Sequence, residues 1–147
     1  ETNSRHVWVL FRYSEVLLNY AEALYEYGGS ETFTDDLFAL SPLDAVNRIR
    51  ERAGTTPLAV SDFTTQLRAE RRVELAFEDH RFWDVRRWMI GPETTDIYGV
   101  KITGKGANPK YERVLIEKRI WEDKMYFYPI PNSEIFKNHK LVQNTGW

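Results

Sequence analysis

Cysteine is absent from the 147 residues, which excludes a disulfide framework and thiolate chemistry but leaves the redox compartment open. No apolar run approaches the roughly 18–20 residues a helix needs to cross a bilayer. A basic excess is also missing. Twenty Lys and Arg against 22 Asp and Glu give a net charge of −2, which argues against a nucleic-acid partner, whose phosphates call for a basic face. Histidine is scarce (His6, His80 and His139), and no two histidines stand at metal-motif spacing, so no metal is expected. No GxSxG elbow, Walker loop or HExxH occurs. The glycine-rich GKGANP at 104–109 joins two strand-like runs and opens no helix; it cannot present a helix N-terminus to phosphate. No cofactor is expected.

What is present is an ordinary globular composition, 42% hydrophobic and 29% charged, long enough to bury a core as a single domain over 1–147. Aromatics reach 14%. In a weakly acidic chain they suit binding of sugars or proteins better than binding of polyanions. The sequence opens at Glu1 without methionine and close to a strongly helical element, so a piece of a longer protein is expected.

Along the chain, residues 1–10 read as extended. A helix follows over about Tyr13 to Tyr27, with Tyr13, Leu17, Tyr20 and Leu24 at helical spacing and Gly28-Gly29 ending it. After a polar loop, Ser41, Pro42 and Asp44 open a helix to about Ala53, closed by Gly54. These two helices are expected to lie antiparallel, like a tetratricopeptide hairpin. Ser61 or Asp62 starts a third helix. A break is expected near Glu78-Asp79-His80, then a helix from Arg81 to Met89 ended by Gly91-Pro92. Tyr98, Val100 and Ile102 alternate, as do Val114, Ile116 and Ile120, around a turn at 104–109; this is a β-hairpin. Met125 to Tyr128 reads as a short strand, and Asn132 or Ser133 as the cap of a helical turn. The division is thus helical at 11–90, then hairpin and irregular tail at 91–147.

Glu70 to Met89, ERRVELAFEDHRFWDVRRWM, is the most unusual stretch. Between 70 and 87 it holds five acids and five arginines, and no lysine. Guanidinium suits buried, forked pairing with carboxylates, so Glu70, Arg71, Arg72, Glu74, Glu78, Arg81 and Asp84 are expected to form a partly desolvated ion-pair network. Glu70, Glu74 and Glu78 could instead be read as glycosidase acids. That chemistry needs two carboxyls across a sugar-sized cleft, whereas acids at i, i+4 and i+8 among arginines fit pairing. His80 is expected to cap or bridge at the helix break. Trp83, Trp88, Tyr20 and Phe77 sit inside periodic apolar patterns and are expected in the core.

FRYSEVLLNYAEALYE, DAVNRIRERAG, ERRVELAFEDHRFWDVRRW, YPIPNSEI and LVQNTGW, in that order from Phe11 to Trp147, resemble the C-terminal region of the SusD/RagB outer-membrane lipoproteins of Bacteroidetes. Two departures stand out. Asp79 replaces the glycine that usually follows the Glu of the AFE motif, and Thr145 replaces the proline of a QNPG tail. The resemblance implies a mainly α, SusD-like α/α superhelix of tetratricopeptide-like hairpins, with a small β-hairpin and irregular tail. It also implies non-catalytic capture of an oligosaccharide or polysaccharide at the cell surface, and delivery to a SusC-like TonB-dependent transporter. Membrane attachment would come through a lipid anchor outside these residues. Tyr98 and Tyr111 beside the hairpin tip and Phe33 in the first loop are the candidate sugar-stacking rings. Two other functions compete with capture: a helical-repeat scaffold for a protein or peptide and, behind it, a glycoside hydrolase using the acid cluster.

Overall fold

The structure is a computed structural model that describes residues 9–59, 61–104 and 108–147. It has the expected mainly helical fold with one small hairpin. The chain divides into two compact units, Glu1–Arg81 and Phe82–Trp147.

The first unit is built from α1 (Tyr13–Gly28), α2 (Pro42–Arg52) and α3 (Phe63–Glu74), with α1 packed on α2 and α3, and α2 on α3. Two of the starts and one of the stops follow from local chemistry. Ser41 accepts a hydrogen bond from the Asp44 backbone N–H at 3.1 Å, and Asp62 accepts one from that of Thr65 at 3.1 Å. Both satisfy amides that a helix start leaves orphaned. Gly29 ends α1 at φ 69, a conformation glycine adopts without strain. The core is Leu17, Leu18 and Ala21 from α1, Ala45, Val46 and Ile49 from α2, with Phe63, Leu67 and Leu75. The two alanines, both fully buried, are small enough to let the helices approach closely. The loop at 30–40 is held to α1 by rings: Tyr20 meets Phe38 at 6.4 Å, and Tyr27 meets both Phe33 and Phe38 edge-on. The Tyr20 hydroxyl donates to the Leu40 carbonyl at 2.5 Å.

Helix α3 stops at Glu74, and α4 (His80–Arg87) begins after a five-residue turn. Asp79 stands at φ 62 in that turn, the left-handed conformation that its small polar side chain tolerates better than most. Asp79→Gly is therefore expected to hold or raise stability, by up to about 1 kcal/mol; a clear drop in melting temperature would mean that the Asp79 side chain itself fixes the turn. Two expectations are corrected here. Phe77 is fully exposed and Trp83 is 62% exposed, not core. Along α3 the inward line is Phe63, Leu67, Arg71 and Leu75, spaced by four, and Val73 falls on the outer face. At Phe77 the turn has already replaced the helix, so helical spacing no longer predicts direction.

In the second unit, β1 (Asp96–Thr103) pairs antiparallel with β2 (Lys110–Lys118), and α5 covers Asn132–Lys137. The tip expected at 104–109 lies partly outside the described residues. Three expectations change. Asp123–Tyr126 forms a 3-10 turn where a strand at Met125–Tyr128 was expected. Asn132 is the first residue of α5 and no side chain caps that helix. Of the residues read as alternating on the return strand, Val114 pairs with Gly99 and Ile116 falls in a bulge, while Ile120 lies beyond the strand.

The two late sequence motifs are explained by each other. Prolines 129 and 131 carry no N–H and flank Ile130, whose backbone is left to a side chain. Gln143 accepts from the Ile130 N–H at 2.7 Å and donates to its carbonyl at 2.9 Å. Asn144 donates to the Tyr128 carbonyl at 2.5 Å. The Trp147 indole N–H is shared by the Lys124 and Phe127 carbonyls at 3.1 and 3.2 Å. Gln143, Asn144 and Trp147 thus replace the ladder partners a strand would have supplied. Nearby, Gly91 is required by close approach, since a Cβ there would lie 1.9 Å from the Trp121 ring.

Candidate functional site

Two constellations were expected from sequence, an ion-pair network and a set of sugar-stacking rings. The three glutamates of the network find cations outside their own stretch. Arg12, immediately before α1, donates from Nε to both Glu78 carboxylate oxygens at 2.9 and 3.0 Å. Its Nη1 meets the Glu74 carboxylate, and its Nη2 donates to the Glu74 backbone carbonyl. That carbonyl ends α3, where a helix leaves acceptors unpaired. Arg52 also meets Glu74, and Arg50 pairs with Glu70. Arg71 is buried and donates to Asn19 Oδ1 at 2.7 Å. His80 lies between Arg71 Nη2, 3.5 Å from Nδ1, and Glu15, 3.6 Å from Nε2. Asp84 is buried and meets Arg87 at 3.2 Å. Arg81 is half-buried and Arg72 exposed.

Electrostatics follow from this pairing. Burial pushes the Glu74 carboxyl upward, but hydrogen bonds from Arg12 and Ser14 and the charges of Arg12 and Arg52 outweigh it, holding Glu74 below the usual carboxylate range. The hydrogen bond to Glu78 leads the interactions that raise the Arg12 pKa still further above its ordinary value. Every acid of the Glu70, Glu74, Glu78 series is thus engaged by a guanidinium. None stands as a paired acid and base across a cleft, and among the described residues no three His, Cys, Asp or Glu are grouped to hold a metal.

The rings present a different picture. Phe33 is half-buried and lies across Gly28, where a Cβ would come within 2.2 Å of it; it packs the end of α1. Tyr98 and Tyr111 are exposed, by 46% and 67%, and the hairpin register puts them on one face. Tyr98 is opposite Leu115, Val100 opposite Arg113, and Ile102 opposite Tyr111; directly opposed residues share a face of the pleat. Tyr98 and Tyr111 stand four positions apart along the strands, about 13 Å at the usual rise per residue. Tyr111 is beside the tip, while Tyr98 is at the far end of the ladder, next to the bulge. Val100, Ile102 and Leu115 on this face are all more than half exposed.

Arg113 is the member of this face that the sequence reading missed. Its guanidinium carbon sits 3.8 Å from the Tyr98 ring centroid, a cation–π stack that fixes the side chain. The signal was available in the alternation Tyr111, Arg113, Leu115, which sets all three on one face of the strand. In the first unit, a groove of about 660 Å³ lined by residues including Leu40, Asp44, Arg48 and Glu51 carries no aromatic ring, so it offers no stacking platform. The hairpin face is the better site.

Comparison with known proteins places the chain. The SusD family model matches residues 1–147. The chain is 31% identical to SusD-like protein P2 of Formosa agariphila over 93% of its own length and 25% of that protein's. The crystal structure of a SusD-like protein from Bacteroides fragilis superposes with a TM-score of 0.76 at 38% identity, covering 95% of this chain and 26% of that one. The chain therefore spans about a quarter of the length of the relatives it matches. Among the described residues no helix is long and apolar enough to cross a membrane.

Proposed function

Because the chain belongs to the SusD family, whose members are non-catalytic binding proteins of the outer membrane, we propose that it serves the capture of a glycan at the cell surface and its delivery to a SusC-like TonB-dependent transporter, with the Tyr98 and Tyr111 face of the hairpin contacting sugar. The supporting observation is the exposure of both rings on one face of a pleated ribbon. A two-stranded hairpin is marginal alone, and an apolar face left in water marks a binding surface. A pyranose has an apolar face that can lie on a tyrosine ring, while the phenol hydroxyl stays free to bond the sugar's hydroxyls.

Calorimetric titration of the chain against a panel of oligosaccharides and polysaccharides tests this. Saturable binding is expected, with Tyr111→Ala weakening it about ten-fold, the loss of one stacked ring being worth about 1–1.5 kcal/mol. The ligand should be recovered intact. Failure to bind any glycan, together with capture of a peptide, would favour the helical-repeat scaffold; release of reducing ends would return the acid series to consideration.

A further inference from the structure

The capture reading leaves the ligand's charge open, and Arg113 speaks to it. Resting on that reading, we propose that the hairpin face binds saccharides bearing a carboxylate or sulfate group, with Arg113 as the residue that receives the anion between the two tyrosines.

Arg12, Arg50, Arg52, Arg87 and Arg119 each meet a carboxylate. Arg113 meets none among the described residues, and its guanidinium lies over the Tyr98 ring. A guanidinium held over a ring by a cation–π contact has no carboxylate occupying its N–H donors, and a planar or tetrahedral oxyanion can accept two hydrogen bonds from them at once. The backbone of Arg113 lies opposite Val100, midway between the two tyrosines along the ladder, and its guanidinium reaches back over the Tyr98 ring. A sugar lying along the face from Tyr111 toward Tyr98 would thus bring an acidic substituent to it.

The surroundings are consistent in sign. The sequence from 96 to 119 carries six Lys or Arg against three Asp or Glu, while the whole chain is −2; the hairpin is a basic element of an acidic chain. The acids do not neutralise Arg113. Glu112 and Glu117 alternate to the opposite face, Glu117 being paired with Arg119 at 3.1 Å. Asp96, two residues before Tyr98 on the same face, lies opposite Lys118 and makes no ion pair with Arg113 among the described residues. A nucleic acid could also use tyrosines and arginine, but tracking a phosphate backbone needs a row of cations. This face presents Arg113 between two rings and three aliphatic side chains.

The test is titration of the 147-residue chain and its Arg113→Gln and Arg113→Lys variants with three hexasaccharide-sized probes. These are an oligogalacturonate (carboxylated), a carrageenan oligosaccharide (sulfated) and cellohexaose (neutral). A single-stranded oligonucleotide serves as a further probe. At least one acidic sugar should bind about ten-fold more tightly than cellohexaose. Arg113→Gln should remove that advantage, a charge-assisted hydrogen bond being worth at least about a factor of ten. Arg113→Lys should restore part of it, and both variants should melt with the wild type because the side chain is exposed. Which acidic probe wins separates carboxylate from sulfate. Equal binding of neutral and acidic sugars, unaffected by Arg113→Gln but lost in Tyr111→Ala, would overturn the charge preference and leave glycan capture standing. No binding of any sugar would overturn both. Tighter binding of the oligonucleotide would also overturn the proposal.

Discussion

Arg12→Ala is expected to destabilise the helical unit by about 2–3 kcal/mol, seen as a lower melting temperature and denaturation midpoint. Breaking a fully buried pair costs about 3–5 kcal/mol; partial solvent access at Arg12, whose side chain is 25% exposed, reduces that. The loss is large because one guanidinium holds Glu78, the Glu74 carboxylate and the last carbonyl of α3. Its removal leaves Glu78 without the cation that offsets its desolvation and Glu74 with only the exposed Arg52. Arg52→Ala is the control. Arg52 meets the same Glu74 oxygen but its side chain is 61% exposed, so less than about 1 kcal/mol is expected. Equal effects of the two substitutions would show that Glu74 needs only a nearby positive charge and that the geometry at Arg12 is irrelevant.

The same contact predicts an acid dependence. Glu74 has a folded pKa below its unfolded value, and an unfolded glutamate titrates near about 4.3. The unfolded chain therefore binds the proton first as pH falls. The stabilisation is complete well above that value and is lost progressively as pH drops through it toward the lower folded pKa. Melting temperature should thus fall below about pH 5, and more shallowly in Glu74→Gln, which cannot titrate. Parallel curves would remove Glu74 from the acid response.

Arg71→Ala is expected to cost about 3 kcal/mol or more, the range for breaking a buried polar contact and leaving a cavity together. Arg71 occupies a core position, one helical turn from Leu67 and from Leu75, and its guanidinium reaches Asn19 and His80. Arg71→Met keeps most of the volume and loses only the polar contacts, so it should cost distinctly less. A change below 1 kcal/mol for Arg71→Ala, measured by urea unfolding, would show that the arginine is a passenger in the core.

Helix positions were legible because their signals are local. Ser41 and Asp62 sit within three residues of the amides they cap, and the glycine at 29 marks its own helix end. The break before α4 was legible too, since Asp79 stands where a left-handed turn is needed. The burial of Phe77 was misread because a residue in a turn is no longer aimed by helical periodicity; Trp83 lies within α4, whose buried positions are Asp84 and Val85, and falls on its exposed side. The candidate rings were partly legible. Both tyrosines could be marked from their places in the strand pattern. Their common face and their separation along it depend on pairing register, which a single bulged residue alters.

The sequence by itself determined the family, the main helices with the caps at Ser41 and Asp62, and the presence of a hairpin carrying Tyr98 and Tyr111, because each is written in neighbouring residues or in the order of motifs. The tertiary structure decided the partners. Glu74 and Glu78 lie among arginines in the sequence, yet the cation that organises them is Arg12, 62 and 66 residues away. Likewise only the strand register sets Arg113 between Tyr98 and Tyr111. Charge and ring chemistry can be read from composition, but a contact between groups distant along the chain exists only once packing has brought their backbones together.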